Sequence, residues 1–226
     1  MDGDGGRHFP LIMKNCKTLI VCLGAAALLA GCATRGYNQA DRTAATLQTA
    51  AQRVDQGTGQ LSATLTALTN LANNPGGDLK TQFTTFDQNL RQLASVTKDI
   101  SAQAATMQKR GAAYFQTWDE ELAKIQNEDI RQRSAQRRSE VMAQFEGVKT
   151  SYIAARDALV PLVSELNDIR TALGTDLTAQ GLAAIQGNVS KAQSDGTIAS
   201  DALTKLGADF RNLGTSLSSG TAAPAK

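Results

Sequence analysis

Residues 44–72 read AATLQTAAQRVDQGTGQLSATLTALTNLA, and this stretch decides the fold. Apolar or small residues recur in it at alternating steps of three and four, which is the heptad spacing of a coiled-coil helix. Because one side of such a helix is apolar along its length, that side must pack against other helices. The apolar seam consists of Ala44, Leu47, Ala51, Val54, Thr58, Leu61, Leu65, Leu68 and Ala72.

Three further segments carry a seam of the same kind, and breaks in the pattern separate them. The seam of the third helix consists of Val141, Phe145, Val148, Tyr152, Ala155, Leu159, Leu162, Leu166, Ile169 and Leu173. Pro75 and Gly76 stop the first helix, and Asp78 and Asn127 are the expected N-caps of the second and third. Gly174 and Thr175 separate the third helix from the fourth, with Thr175 as its N-cap. We therefore predict four long helices, at about residues 38–73, 78–126, 128–173 and 176–217.

The fold class follows from the seams and from the short connections between them. Short connections make consecutive helices antiparallel. We predict an all-α fold, an elongated antiparallel bundle of about four long coiled-coil-like helices. In that bundle Phe83 lies near Leu68, and Phe210 lies near Val141. A three-helix or a dimeric arrangement is the main alternative.

The N-terminal segment has the layout of a bacterial export signal. Lys14 and Lys17 form a basic region, and residues 18–30 form an apolar stretch that is too short to span a bilayer. The segment ends in Leu29-Ala30-Gly31-Cys32, which resembles the lipobox of bacterial lipoproteins. The resemblance implies that the signal is cleaved between Gly31 and Cys32 and that the Cys32 thiol carries the lipid.

This signal divides the chain into four parts. We expect a signal peptide at residues 1–31, with Met13 as an alternative start, and a lipid anchor with a short linker at 32–37. The helical bundle then occupies residues 38–217, and residues 218–226 form a disordered tail. In well-studied Gram-negative lipoproteins, an Asp after the lipidated cysteine retains the protein in the inner membrane. By resemblance, Ala33 implies the outer membrane, facing the periplasm.

Charge and composition narrow the function of the part after Gly31. Three of the 23 basic and two of the 21 acidic residues precede Cys32, which leaves 20 and 19 and no net field for nucleic acid. The only histidine, His8, and two of the three cysteines also lie in the signal segment. The mature chain therefore lacks the imidazole and free thiol that many zinc sites and nucleophiles use. We expect no enzymatic activity, no metal site and no cofactor.

The charged turn between the second and third helices is the candidate site for docking a protein partner, and we call residues 118–138 the elbow. An ion-pair network with Trp118 stacked on an arginine is the structural interpretation of its charges. A docking surface is the functional one, because Arg131, Ser134 and Arg138 occupy seam positions where later turns have Val, Phe and Leu. The residues of interest are Trp118, Asp119, Glu120, Glu121, Arg131, Arg133, Arg137 and Arg138.

With the elbow and the third helix in view, the mature part resembles domain-of-unknown-function family 2959, a family of bacterial lipoproteins. The first helix matches in character only, and its richness in Thr, Gln and Ala departs from the more charged helices of the family. The resemblance implies a helical, membrane-anchored protein with no assigned activity or catalytic residues. It is strongest over residues 114–185 and rests on Trp118, Glu121-Leu122, Asn127, Ile130-Arg131, Ser134, Pro161-Leu162, Leu177, Ala179 and Ile185.

These observations favour a non-enzymatic envelope lipoprotein, anchored to the membrane through Cys32, with a scaffold or adaptor role and a protein partner. Peptidoglycan is a second candidate partner, because Lys226 is similar to the final lysine that joins a small helical lipoprotein to peptidoglycan. A periplasmic carrier of an apolar ligand or lipid is the alternative function. A hydrolase with a Ser–Lys or carboxylate site is the third hypothesis. Large apolar side chains left unpaired would favour the carrier, and a dry core would favour the scaffold.

Overall fold

The chain is helical throughout the part that the structure describes. A computed structural model describes the backbone of residues 16–218 and the side chains of residues 38–218. It contains four long helices and one short helix, which precedes the last long one. The helices are α1 (Cys16–Asn73), α2 (Leu79–Leu122), α3 (Glu128–Thr175), α4 (Ala179–Ala184) and α5 (Gln186–Leu217).

The four long helices form a closed ring around a shared core. α1 packs against α2, α2 against α3, α3 against α5, and α5 against α1. The contacts run in opposite directions along neighbouring helices: Gln39 bonds to Thr117, and Gln60, farther along α1, bonds to Asn89, which comes earlier in α2. The predicted all-α antiparallel bundle is therefore confirmed, with four long helices rather than three.

α1 has the widest buried surface, because α2 and α5 both pack extensively along it. Most of its predicted seam is buried, and a second row beside the seam is buried as well. Threonine fits this row because the hydroxyls of Thr46 and Thr64 donate to the carbonyl four residues earlier, over 2.8 and 2.7 Å. The second row consists of Thr43, Thr46, Ala50, Gly57, Thr64, Ala67 and Leu71.

The register of the first hairpin agrees with the prediction, whereas that of the α3–α5 pair does not. Phe210 was expected near Val141, but Ser151 Oγ donates to Asp209 Oδ2 over 2.5 Å. At this contact Phe210 is level with residue 150, so the prediction is wrong by about nine residues, or ~14 Å along α3. The physical reason is the connection between α3 and α5, which contains α4 and is much longer than the tight turn that the sequence indicated.

Several predicted helix boundaries also need correction. The second helix ends at Leu122 rather than at 126, because the N–H groups of Lys124 and Ile125 donate to carbonyls three residues back instead of four. The predicted helix 176–217 is two helices, since Ile185 leaves helical geometry with ψ at 4°. Thr178, not Thr175, caps α4, by accepting from the Gly181 N–H over 3.1 Å.

The predicted N-caps of α2 and α3 are confirmed. Asp78 Oδ1 accepts from the Thr81 N–H over 3.2 Å, and Asn127 Oδ1 accepts from the Ile130 N–H over 3.1 Å. Each cap satisfies a backbone donor that has no partner inside its helix. These caps fix where the two long helices begin.

The predictions for the two ends of the chain lie largely outside the described residues. α1 begins at Cys16, so its backbone runs without a break through the predicted signal, anchor and linker into the bundle. The side chain of Cys32 and the predicted start at Met13 are not among the described residues. The same holds for residues 219–226 of the predicted tail, including Lys226.

Candidate functional site

The elbow lies at the same end of the bundle as the backbone of Cys32. Thr117 Oγ1 on α2 donates to Gln39 Oε1 on α1 over 3.4 Å, so these two residues are level with each other. Towards this end, Cys32 lies seven residues beyond Gln39 on α1, and the turn at 123–127 begins six residues beyond Thr117 on α2. Each separation is ~10 Å. The turn at Pro75 lies at the opposite end of the bundle.

An aromatic cluster joins α2 to α3 next to the elbow. Phe115 packs edge-to-face on Phe145, with ring centroids 5.6 Å apart, and Tyr114 packs in the same manner on Trp118 at 5.4 Å. Gly111 leaves room for the Phe145 ring, because a Cβ at that position would collide with it. Each edge-to-face pair contributes about 0.5–1.5 kcal/mol beyond area burial. The cluster therefore fixes the α2–α3 hairpin.

Two polar residues at seam positions, Ser134 and Arg138, complete this cluster. Trp118 Nε1 donates to Ser134 Oγ over 3.1 Å, so the small hydroxyl satisfies the indole N–H. The Arg138 guanidinium carbon lies 5.4 Å from the Phe115 ring centroid, and its Nη2 donates to Asp119 Oδ2 over 2.6 Å. The prediction that Trp118 stacks on an arginine is wrong, since Arg138 stacks on Phe115 instead.

The other elbow arginines pair within their own helix rather than across the hairpin. Arg137 also has a partner on α5: its Nη2 donates to the Ser216 carbonyl over 3.0 Å. That carbonyl is at the C-terminal end of α5, where a cation is favourable. Glu120 and Glu121, which were expected opposite the arginines, bond to Gln116 and Lys124. The arginine pairs within α3 are Arg131–Glu128, Arg133–Asp129 and Arg137–Glu140.

Contacts inside the hairpin therefore account for two of the three polar seam residues, and no partner protein is needed to explain them. Ser134 and Arg138 are used inside the hairpin, whereas Arg131 is exposed and pairs with Glu128. One large apolar side chain at this end, Ile130, is 55% exposed. The exposed surface of the elbow consequently consists of α3 residues around Ile130, Arg131 and Arg133. Both arginines are already paired with acidic residues of α3.

A serine, a carboxylate and an amine meet in the α3–α5 interface. Ser151, which is 4% exposed, donates to Asp209, and Lys205 Nζ donates to the same Asp209 oxygen over 2.7 Å. The Ser151 hydroxyl is therefore enclosed between the two helices. The group acts as a polar pin that fixes the register of α3 against α5.

Among the described residues, no three or more His, Cys, Asp or Glu side chains are grouped so that they could hold a metal ion. No helix within the described range combines the length and the hydropathy that crossing a membrane requires.

Comparison with known proteins gives one match. The model of a family described as "Protein of unknown function (DUF2959)" matches residues 30–205. The match begins just before Cys32, includes the elbow and extends through most of α5, so it covers well over half of the chain. No curated protein and no solved structure is significantly similar to the chain.

Proposed function

The chain belongs to the DUF2959 family, and we propose that it is a lipid-anchored helical spacer or adaptor of the bacterial cell envelope. The observation that carries this proposal is the place of the lipobox-like Leu29–Cys32 segment. That segment lies within α1, which continues without a break into the bundle. A lipid on Cys32 would therefore be joined to the bundle through a stiff helix rather than through a flexible linker.

The length of the bundle gives the spacer its reach. From Cys32 to Asn73, α1 extends for about 60 Å at 1.5 Å per residue. The turn around Pro75 and the α3–α5 connection would be held at that distance from the lipid anchor. A partner could be bound at the distal turns or along the sides of the helices.

The packing of the interior supports a spacer over a carrier. Large core side chains such as Phe86, Phe210 and Leu166 are 0–1% exposed. The crevice between α2 and α3 near Thr97 and Tyr152 has a volume of about 20 Å³, which is room for roughly one water molecule. Pockets for small ligands commonly measure about 300–1,000 Å³. A carrier would have to separate α2 from α3 before that interface could hold an apolar ligand. The larger groove between α1 and α2, of about 970 Å³, is open and is lined mainly by Thr, Gln, Arg and Lys side chains, which do not suit an apolar ligand.

Two further parts of the proposal rest on the sequence alone. A role without catalysis is supported by the mature chain, which has no histidine and no thiol apart from Cys32. Attachment to the outer membrane, facing the periplasm, is supported by Ala33 through the resemblance to Gram-negative lipoproteins. An Ala33→Asp variant should then shift to the inner-membrane fraction, whereas Ala33→Ser should stay with the outer membrane.

Metabolic labelling with a radioactive fatty acid tests the anchor. We expect the wild-type protein to incorporate the label and to sediment with membranes. Cys32→Ser should abolish both, because the lipobox-like segment then has no thiol to accept the lipid. Cys22→Ser is the matched control, since it removes a cysteine from the segment that we expect to be cleaved, and it should label normally. Labelling of Cys32→Ser at the wild-type level would rule out the anchor.

A further inference from the structure

A cationic groove runs between α1 and α2 on the part of the bundle nearest to Cys32. Buried Thr43 and Thr46 lie at its floor, and Arg42, Lys109 and Arg110 are exposed along its rim. The groove has a volume of about 970 Å³, and no acidic residue lines it. Arg110 Nη1 donates to the hydroxyl of Thr46, so one guanidinium is held against the floor.

The cations of this groove differ from most others between residues 38 and 218, because they form no ion pair with an acidic side chain of that range. Every ion pair among the described residues involves other cations, including those of the elbow. The sequence explains why: residues 42–54 and 100–118 contain four cations and no Asp or Glu. Asp41 precedes Arg42 but does not line the groove. The groove therefore keeps an uncompensated positive potential.

We infer that this groove binds the phosphate of an anionic phospholipid headgroup in the leaflet that carries the anchor. The inference rests on the proposed lipid anchor at Cys32. Arg42 follows Cys32 by about ten residues of continuous α1, which places its Cα ~15 Å from that of Cys32. The headgroup region extends roughly 5–7 Å beyond the hydrocarbon core. A bundle tilted with its α1–α2 side towards the bilayer brings the long side chains of the groove to the phosphates.

A membrane lipid fits the groove better than a free phosphate ion does. The three cations are exposed at the rim of an open groove, so they attract a charged surface without enclosing a single anion. Sites for free phosphate instead surround the ion with converging donors. A lipid anchor nearby also holds the groove at the membrane, which raises the effective concentration of headgroups. The bound lipid would fix the tilt of the bundle on its membrane.

Native mass spectrometry of the membrane-extracted protein in a neutral detergent tests this inference. The probes are phosphatidylglycerol, phosphatidylcholine and inorganic phosphate, each titrated separately. We expect phosphatidylglycerol to bind at least about tenfold more tightly than phosphatidylcholine, and inorganic phosphate not to displace it at equal concentration. Near an anionic surface each Lys or Arg contributes about fivefold in affinity. The triple variant Arg42→Gln/Lys109→Gln/Arg110→Gln should therefore bind phosphatidylglycerol about a hundredfold more weakly.

Two matched variants separate the groove from net charge and from folding. Arg53→Gln/Lys80→Gln/Lys98→Gln removes three exposed cations from the same two helices and should bind as the wild type does. Arg42→Lys/Arg110→Lys keeps the charges and should bind within about threefold of the wild type. Circular dichroism of each variant checks that the helices are retained.

Each outcome decides the inference. Undiminished binding by the folded triple groove variant, or equal binding of the two lipids, would overturn it, and saturation by inorganic phosphate alone would make the groove a free-phosphate site. The same spectra report the covalent mass of the chain and therefore the acylation of Cys32. An unacylated chain that still binds phosphatidylglycerol specifically would refute the anchor but not the groove. An acylated chain that does not bind phosphatidylglycerol specifically would refute the groove but not the anchor.

Discussion

At the scale of single residues, Gly111 sets how closely α2 approaches α3. A Cβ at this position would collide with the Phe145 ring, which is itself held by Phe115. We predict that Gly111→Ala destabilises the protein by about 1–3 kcal/mol, the usual cost of overpacking. Gly147→Ala is the matched control: its Cβ meets nothing within 4 Å, so it should stabilise by up to about 1 kcal/mol through helix propensity. Thermal unfolding followed by circular dichroism should show melting temperatures that move in opposite directions.

Asp87 connects α2 to α3 on the half of the hairpin away from the elbow. Its Oδ1 accepts from Arg170 Nε over 2.5 Å, and its Oδ2 lies 2.9 Å from Arg91 Nη2. Burial raises the pKa of Asp87, but the hydrogen bonds from Arg91 and Arg170 outweigh burial, so the pKa lies below its ordinary value of 3.8. A lowered carboxyl pKa means that this contribution to stability is complete above the ordinary value and is lost as the pH falls through the folded-state value.

Replacing the Asp87 carboxylate should therefore change the unfolding free energy by an amount that depends on pH. We predict that Asp87→Asn lowers the unfolding free energy by about 1–3 kcal/mol at pH 7, the range for hydrogen bonds to charged groups. The difference from the wild type should shrink as the pH is lowered below about 4, where the Asp87 carboxylate of the unfolded chain begins to protonate before that of the folded protein. Urea unfolding at pH 7, 5 and 3 measures it. A difference that stays constant over this range would show that the charge of Asp87 does not matter.

Sequence periodicity predicted most buried positions. It did not predict which side chains the polar residues at seam positions would contact. The seam of α3 was predicted almost residue by residue, because a heptad pattern is local. The hydroxyl of Ser134 was interpreted as a departure from the seam, because its partner Trp118 is on another helix. Thr43 and Thr64 were missed for a related reason: only a helix with two extensive neighbours buries a second row.

At the scale of helices, the elbow charges can be separated by what they contact. Arg133 and its partner Asp129 are 80% and 71% exposed, so their pair should contribute only ~0–1 kcal/mol. We predict that Arg131→Glu/Arg133→Glu barely changes the melting temperature. Arg137→Glu should lower the stability by about 0.5–1 kcal/mol, because it puts a negative charge beside the C-terminal carbonyls of α5. Equal effects of the two changes would contradict the assigned role of Arg137 as a cap.

The same double variant tests whether the elbow docks a protein partner. Crosslinking in living cells should capture the partner with the wild-type protein. If the exposed row around Ile130 is the docking surface, the folded Arg131→Glu/Arg133→Glu variant should lose most of that capture. Arg156→Glu on α3, whose side chain is 49% exposed, is a control on the same helix and should capture normally. Wild-type capture by the double variant would direct the search to the distal turns.

Helix ends and register were less predictable than the helices themselves. The caps Asp78 and Asn127 were predicted because their signals lie within a few residues of each helix start. The register of α3 against α5 was not predicted, because Gly174 and Thr175 indicated a tight turn, whereas α4 lengthens the connection. Thr178 carries a local signal, a hydroxyl three residues before Gly181, that in retrospect marks the start of α4.

At the scale of the whole molecule, the order of the helices in the ring brings candidate functional regions together that are far apart in the sequence. The elbow, the cationic groove and the end of α5 all lie on the half of the bundle near Cys32, while the Pro75 turn lies at the other end. The sequence predicted the antiparallel arrangement, from which this placement follows. The cationic groove was not predicted from the sequence. The feature that indicates it is the lack of acidic residues in two segments, 42–54 and 100–118, that are far apart in the sequence.

Lipid photocrosslinking in living cells tests most directly whether this end of the bundle lies at the membrane. Benzoylphenylalanine would replace Gln126, which is exposed in the elbow turn, or Gly76, which is exposed in the distal turn. We predict that position 126 crosslinks to radiolabelled phospholipid at least about tenfold more than position 76, because the distal turn is held ~60 Å from the anchor. The added change Cys32→Ser should abolish the crosslink at position 126. Equal crosslinking from both positions, or none from position 126 in a chain that carries the lipid, would contradict a bundle anchored at its elbow end.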